Sequence, residues 1–345
     1  MSLAPTLLLT DPAMAAHDPG SAHPESPRRL LRILDLLHSQ PVATTVWKSA
    51  RRATREELLR VHSEAYVASI EALAGKSARL DEDTLVSPAS WDAALLAAGA
   101  TVQGVEEIQE GRATNAFALV RPPGHHAEVD RAMGFCLFNN AAIAAEAALA
   151  NGAKKVLLVD WDLHHGNGTQ NAFWGRRNVL YMSLHQFPEY PHTGAPGEIG
   201  EGAGRGFTVN CGLAPGRTDA DYGAVFDDLF LPIAEEYAPD WVIVSAGFDA
   251  HVNDPLGDMK LTPRGFAAMT TRLKDLAERF AGGRLLLVLE GGYHVENLAT
   301  SVHACTQVLA GYREQFPTGV NRETGEAINA TRQALAPYWG TLRKA

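Results

Sequence analysis

Acidic and imidazole side chains alternate in the segment 160–165, whose sequence is DWDLHH. In an extended chain, residues two apart face the same side, so Asp160, Asp162 and His164 can converge. Carboxylate and imidazole groups are ligands for first-row divalent metals. The spacing predicts that Asp162 and His164 bind a metal, while Asp160 orients its neighbours or meets another cation. The alternative is that these side chains cap the following helix and make loop hydrogen bonds.

Two further segments carry groups suited to the same chemistry. Asp249, in SAGFDAH, is suited to complete the metal ligands, although a single aspartate after a strand is often a turn residue. His125 and His126 follow the turn RPPG, where adjacent histidines are commonly solvated or structural. A metal bound by two aspartates acidifies water less than one bound by neutral histidines, so a nearby base is useful. The histidine pair supplies one, with Asp160 and Asn167 as candidate partners for its two Nδ1–H groups.

A tyrosine follows two glycines in the segment EGGYH, at positions 290–294. Tyrosine near glycine is commonly a packing residue. The phenol of Tyr293 is also suited to donate a hydrogen bond to a carbonyl oxygen opposite the metal, stabilising the negative charge that develops there.

Short apolar runs precede each of these segments, and stretches with helical periodicity separate them. The predicted strands are Thr6–Leu9, Ala116–Val120, Val156–Val159, Val179–Leu184, Trp241–Ala246 and Leu285–Leu289. The predicted helices are Ser90–Gln109, Asn140–Leu149, Asp219–Tyr237, Thr262–Phe280 and Val295–Tyr312. Alternating elements of this kind predict an α/β fold with a mostly parallel sheet covered on both faces. In such sheets, ligands bind beyond the carboxyl ends of the strands.

Length and composition narrow the function classes. The chain has 345 residues, and no linker divides it, which predicts one domain over residues 1–345 rather than two. Its formal net charge of -10 argues against general nucleic-acid binding, which needs a positive field. Three separated cysteines indicate reduced thiols. With no apolar run long enough to span a membrane, we expect a cytoplasmic protein without a membrane partner.

Taken together, these segments resemble the zinc-dependent histone deacetylases and acetylpolyamine amidohydrolases of the arginase-deacetylase fold. The resemblance covers nearly the whole chain, from His23-Pro24-Glu25 to the glycines before Tyr293. Its motifs, in order, are RPPGHHA, GFCLFNNAAIA, DWDLHHGNGTQ, SLHQ, SAGFDAH followed by NDPLG, and LEGGYH. It implies a central sheet of about eight strands flanked by helices. Class II-like bacterial histone deacetylase-like amidohydrolases are among the proteins that this chain resembles.

The resemblance also implies a role for each matching residue. It makes Asp162, His164 and Asp249 the zinc ligands. It makes His126 the general base and His125 its neighbouring proton-transfer or electrostatic partner. The remaining implied roles are oxyanion stabilisation by Tyr293, histidine orientation by Asp160 and Asn167, and a structural potassium ion held by Asp160, Ser183 and the backbone carbonyl of Leu184.

Substrate contacts follow from the same resemblance, with departures from the family pattern. Phe135, preceded by Gly134, corresponds to one wall of the acyl-lysine tunnel, and Tyr190 replaces the second tunnel phenylalanine. Leu256 stands where polyamine-selective relatives carry an acidic residue, which disfavours a substrate with a distant ammonium group. Asp83 matches the rim aspartate that binds the substrate backbone. In addition, Asn167 stands where class I enzymes have an aspartate.

These inferences predict a metal-dependent amidohydrolase that removes an acyl group, most simply acetyl, from an amine such as the lysine side chain. An acetylpolyamine amidohydrolase is the nearest alternative. A ureohydrolase of the same fold is disfavoured because His251 stands where a bridging aspartate would help a second metal. A non-catalytic acyl-lysine binding module is the alternative from another class. The expected partners are an acylated peptide or a small acetylated amine, and homo-oligomerisation is left open.

Overall fold

A computed structural model describes residues 4–343, in which strands and helices alternate along the chain. The strands are β1 (Thr6–Thr10), β2 (Thr45–Ser49), β3 (Ala78–Arg79), β4 (Leu85–Val86), β5 (Asn115–Ala118), β6 (Val156–Asp160), β7 (Val179–Gln186), β8 (Thr208–Leu213), β9 (Trp241–Ala246) and β10 (Leu285–Leu289). The helices are α1 (Pro27–Ser39), α2 (Arg55–Leu59), α3 (Glu64–Glu71), α4 (Ser90–Gln109), α5 (Asn140–Ala150), α6 (Asn167–Phe173), α7 (Asp219–Val225), α8 (Leu231–Tyr237), α9 (Pro263–Phe280), α10 (Val295–Leu309) and α11 (Arg322–Leu335). The predicted domain of residues 1–345 includes 1–3 and 344–345, which lie outside the described residues.

Eight strands form one sheet in the order β2-β1-β5-β10-β9-β6-β7-β8. Every pair of neighbours is parallel. This confirms the predicted α/β class and a sheet of about eight strands. The short strands β3 and β4 form a separate antiparallel pair.

Helices cover the sheet in two layers. Helices α4 and α5 pack against each other, with α4 against β1, β5 and β10 and α5 against β6 and β9. Helices α9 and α10 form the other layer and pack against β9, β10 and β5. Strands β1, β6, β9 and β10 are buried along their whole length, which explains why they appear in the sequence as apolar runs without alternation. The buried apolar side chains form one cluster that extends from Leu7 to Leu342.

The predicted elements agree with the observed ones to within a few residues at their ends. One predicted helix, 219–237, contains a π-helical turn at Phe226–Phe230 that joins α7 to α8. The edge strands β2 and β8 were not predicted. Strand β2 is partly exposed throughout and therefore lacks an apolar run, and β8 contains the polar side chain of Asn210.

The helices and the cysteines of the described residues can be compared with the expectations from composition. None of their helices combines the length and apolar character that crossing a membrane requires. The thiols of Cys136, Cys211 and Cys305 are buried and free.

Candidate active site

Four adjacent strands carry the predicted site residues. Strands β5, β10, β9 and β6 lie side by side at the centre of the sheet. The loops that follow them contain, respectively, the histidine pair, Tyr293, Asp249 and the pair Asp162 and His164. Because parallel strands end at the same edge, these four loops meet there.

Asp162, His164 and Asp249 form a compact cluster at this edge. One potential ligand atom from each lies within 4.8 Å of the other two. Nδ1 of His164 is 3.1 Å from Oδ2 of Asp249 and 3.3 Å from Oδ1 of Asp162. Strand β6 ends at Asp160, so the bend that follows it, rather than strand alternation, brings Asp162 and His164 together.

Backbone amides hold the two carboxylates in place. Leu163 donates its N–H to Oδ1 of Asp249 at 2.8 Å, and His164 donates its own to Oδ1 of Asp162 at 3.0 Å. Gly291 donates its N–H to Oδ2 of Asp162 at 2.8 Å. A Cβ atom at Gly291 would overlap Oδ2 of both carboxylates, so only glycine permits this approach.

The charge at this cluster suits a divalent cation. Asp162 and Asp249 are buried, and within residues 4–343 their ion-pair partners are histidines only. Burial and the neighbouring carboxylate of Asp162 raise the pKa of Asp249 to about 7. Two buried carboxylates that repel each other beside an imidazole nitrogen match the donor set of a metal site, and a bound cation would offset the repulsion.

His125 and His126 lie beside this cluster with different partners. Nδ1 of His125 is 3.1 Å from Oδ2 of Asp160, and Nδ1–H of His126 donates to Oδ1 of Asn167 at 2.8 Å. Burial alone would lower the pKa of His125, but the carboxylates of Asp162 and Asp160 raise it to about 10. Burial and the two neighbouring histidines hold the pKa of His126 well below its usual range. His126 is therefore neutral, with Nε2 free to accept a proton.

Asp160 and Ser183 lie opposite each other in the pairing of β6 with β7, and both are fully buried. Oδ2 of Asp160 also accepts a hydrogen bond from the phenol of Tyr181 at 3.1 Å. Oγ of Ser183 is 2.9 Å from Nδ1 of His185. Leu184, the third residue predicted to hold potassium, follows Ser183 on β7.

A pocket of about 290 Å³ opens onto the cluster and brings together all five predicted substrate-contact residues. Its lining residues are Asp83, His126, Gly134, Phe135, His164, Glu189, Tyr190, Leu256 and Tyr293. The rings of Phe135 and Tyr293 are 5.7 Å apart, and that of Tyr190 is 5.1 Å from the ring of His126. Gly134 has a φ of 55°, and a side chain there would overlap the ring of His126.

Tyr293 lies in the loop between β10 and α10. Its ring packs edge-on against Phe135, and the guanidinium of Arg29 is 5.0 Å from its centre. Burial holds the pKa of the Tyr293 phenol well above its usual value, so the phenol keeps its proton and is a donor.

Several buried charged residues around the site were missed in the sequence. Oε2 of Glu290 accepts the backbone N–H groups of Gly124 and His125 at 2.6 and 3.1 Å. Arg29 donates to the carbonyls of Glu290 and Gly292, and shares the carboxylate of Glu25 with Arg121. From the sequence alone, these charged residues look like ordinary surface residues, because their burial depends on contacts between segments that are distant along the chain. Glu189, which lines the pocket and is only partly buried, was also missed, because a single acidic residue in a loop carries no local signal of its place in a pocket.

The profile of the histone deacetylase domain matches residues 23–309. The chain belongs to the histone deacetylase family. It is 46% identical over 299 residues to histone deacetylase 15 of Arabidopsis thaliana, covering 84% of this chain and 53% of that protein. It is 42% identical over 306 residues to the histone deacetylase-like amidohydrolase of Pseudomonas aeruginosa, covering 88% and 79%.

A solved structure extends this family assignment to the fold. The crystal structure of the HDA15 HD domain superimposes with a TM-score of 0.94 at 40% identity, covering 99% of this chain and 97% of that one. The chain therefore has the arginase-deacetylase fold expected for a histone deacetylase family member. It spans about half the length of the plant relatives that it matches, 54% and 53% for two of them.

Proposed function

We propose that this chain is a zinc-dependent amidohydrolase that removes an acyl group, most simply acetyl, from the side chain of lysine. The observation that carries the proposal is that three groups with distinct chemistry meet at one pocket, whose lining includes His126, Tyr293 and, from the candidate metal cluster, His164. The three groups are a cluster suited to a divalent cation, a neutral buried imidazole at His126, and the protonated phenol of Tyr293. Their presence in a histone deacetylase domain supports the same activity.

Asp162, His164 and Asp249 would hold the zinc ion. When bound, the ion supplies Lewis-acid polarisation of the amide carbonyl and lowers the pKa of water. His126 accepts the proton of the attacking water at Nε2, because Asn167 holds Nδ1–H. Tyr293 donates its phenol hydrogen to the carbonyl oxygen as negative charge develops there.

The departing amine needs a proton, which the imidazolium of His126 returns to it. His125 is protonated beside Asp160 and places a positive charge next to His126. That charge favours release of the proton from His126 in the second step. The two histidines differ in protonation because the carboxylates of Asp162 and Asp160 raise the pKa of His125, whereas burial and the neighbouring histidines lower that of His126.

The aromatic lining of the pocket supports an acyl-amine with an apolar methylene chain. The rings of Phe135 and Tyr190 would flank the methylene chain, and Asp83 would accept hydrogen bonds from the substrate backbone at the mouth. We also propose that Asp160, Ser183 and the carbonyl of Leu184 hold a structural potassium ion, because Asp160 and Ser183 adjoin each other in a fully buried position. The single cluster of buried apolar residues supports one catalytic domain.

One observation favours a second candidate, an acetylpolyamine amidohydrolase. The pocket lining contains the carboxylates of Asp83 and Glu189 and, among the described residues, no lysine or arginine. A negative mouth attracts a substrate with a second ammonium group. Leu256 disfavours this candidate, since its apolar side chain offers such a group no partner.

A substrate panel tests both candidates. Metal-replete protein is assayed with acyl-lysine peptides of several chain lengths, acetylputrescine and acetylspermidine, and its metal content is measured. We expect turnover of acetyl-lysine peptide, loss of turnover after chelation, and recovery with zinc. Tyr293→Phe should lower kcat by about 10²–10³-fold, the effect of removing one oxyanion donor. Undiminished activity of this variant, or after chelation, contradicts the mechanism, and binding without product indicates a binding module.

A further inference from the structure

We propose that Asp254 is the positioning residue that sets the location of the Tyr293 phenol in the pocket. The inference rests on the proposed function, because it assigns Tyr293 a role in the reaction. Asp254 lies in the NDPLG segment after β9 and lines no part of the pocket itself. Its side chain is buried, with 7% of the residue exposed.

One carboxylate joins the loop after β9, which contains Asp254 and Leu256, to the loop after β10, which contains Tyr293. Oδ2 of Asp254 accepts the backbone N–H groups of Tyr293 at 2.7 Å and His294 at 3.1 Å. Oδ1 accepts the N–H of Leu256 at 3.0 Å. The backbone of Asp254 is itself held, since its N–H donates to the carbonyl of His251 at 2.9 Å. Asp254 therefore joins the residue with the phenol to a residue of the pocket wall.

The rest of the Tyr293 loop is held upstream of the tyrosine. Gly291 is bound on both sides, because its N–H donates to Asp162 and its carbonyl accepts the N–H of Phe248 at 3.0 Å. Arg29 then binds the carbonyls of Glu290 and Gly292. Gly292 has a φ of 117°, which residues with a side chain rarely adopt. Because glycine permits many other backbone angles as well, the direction of the chain at Tyr293 depends on contacts made after Gly292.

Asp254 supplies the contacts beyond Gly292. The phenol of Tyr293 has no hydrogen-bond partner within residues 4–343, although its ring packs edge-on against Phe135 and lies beneath the guanidinium of Arg29. Because no hydrogen bond holds the phenol oxygen itself, its position depends on where the backbone of Tyr293 is held, which Asp254 determines at the N–H of that residue. A misplacement of about 1 Å costs on the order of a hundredfold in rate when a group must meet developing charge.

A double-mutant cycle tests the proposal. Asp254→Ala should lower kcat for acetyl-lysine peptide by about tenfold to a hundredfold, with KM changed by less than about threefold, because the displaced phenol acts mainly on the charge that develops during the reaction. In the Tyr293→Phe background, the same change should lower kcat by less than about threefold, since the hydroxyl that Asp254 positions is already absent. Zinc content should stay at one ion per chain in all four proteins.

Asp221→Ala is the matched control. Asp221 is also buried and accepts two backbone N–H groups, from Thr218 at 2.9 Å and Asn321 at 2.8 Å, but it lies in α7 and does not line the pocket. This variant should lose stability while its kcat stays within about twofold of the parent. It therefore separates loss of a buried carboxylate from loss of phenol positioning.

Each outcome has one meaning. If the parent protein has no deacetylase activity, the proposed function is wrong. If the parent is active and Tyr293→Phe is impaired, but the Asp254 effect is absent or multiplies fully with it, the positioning role is wrong. If Asp254→Ala does not fold, the cycle is run with Asp254→Asn. The one side-chain oxygen of asparagine can accept hydrogen bonds from Leu256 or from the Tyr293 loop, but not from both. We therefore expect a smaller loss of kcat than with alanine, and this loss should again fail to multiply with that of Tyr293→Phe.

Discussion

Replacing Asn167 with aspartate should move the pH dependence of the reaction in a defined direction. Oδ1 of Asn167 accepts Nδ1–H of His126 at 2.8 Å, so Asn167→Asp places a negative charge in direct contact with the imidazole. The charge favours imidazolium and raises the pKa of His126, which burial and neighbouring histidines hold well below its usual range.

The size of the shift follows from that geometry. Two unit charges about 4 Å apart interact by about 4 kcal/mol at an effective dielectric constant of about 20, which is an upper limit for this change. A shift of one pKa unit corresponds to about 1.4 kcal/mol, and opposite charges at this range shift pKa values by about 1–3 units. We therefore expect the pKa of His126 to rise by about 1–2 units.

A second contact determines how the variant is built. Nδ2 of Asn167 donates to Oε1 of Glu128 at 2.7 Å, so Asn167→Asp alone would put two carboxylates in contact. The clean perturbation is Asn167→Asp with Glu128→Gln, in which the new amide donates to the new carboxylate. The matched control is Glu128→Gln alone, which leaves the uncharged partner of His126 in place.

The assay is kcat/KM for an acetyl-lysine peptide measured across pH. A general base works only when deprotonated, so a higher pKa moves the acid limb of the profile to higher pH. At a fixed pH on that limb, a shift of about one unit lowers kcat/KM about tenfold, whereas the plateau at higher pH changes little. The control should keep the parent limb. An acid limb that does not move in the double variant would refute the assignment of His126 as the titrating base.

Two other changes test the cation site and the substrate class. Gly291→Ala should lower zinc affinity about 10–100-fold in competition with a chelator, because its Cβ would displace the carboxylates of Asp162 and Asp249. Gly325→Ala, in open space on α11, is its control, and equal affinity of the two variants would contradict the assigned ligands. Leu256→Glu should raise kcat/KM for acetylspermidine relative to acetyl-lysine peptide by about twofold to fivefold, the effect of one exposed ion pair. If Leu256→Gln produces the same change, charge at this position does not select the substrate.

The residues of the pocket could be predicted from local sequence, whereas most of the buried charged residues around it could not. The candidate metal ligands, the histidine pair and Tyr293 could be predicted because residue types suited to metal binding and catalysis stand directly after apolar strands. The carboxylate of Asp254 was visible only as part of a motif, and nothing in that motif showed which amides it binds. Glu290 and Arg29 were missed because a charged residue is recognised as buried only from its three-dimensional neighbours.

Local sequence was sufficient for the α/β class, because strands covered on both faces must be apolar along their length and helices of this size keep their own periodicity. It was also sufficient for the residues suited to chemistry, because residue type and position after a strand are local properties. Strand order is not local. The order of the strands along the chain does not reveal that β9 and β10 lie between β5 and β6 in the sheet. This order brings four loops, spread from positions 121 to 293, to one edge of the sheet.

Protonation was decided by the tertiary structure as well. His125 and His126 are adjacent in sequence and chemically identical, yet one is charged beside Asp160 and the other is neutral beside Asn167. The carboxylates of Asp162 and Asp160 raise the pKa of His125, whereas burial and the imidazoles of His125 and His164 lower that of His126. These effects depend on burial, which removes the solvent that would otherwise screen the charges. The different electrostatics of two neighbouring imidazoles is thus a property of the fold.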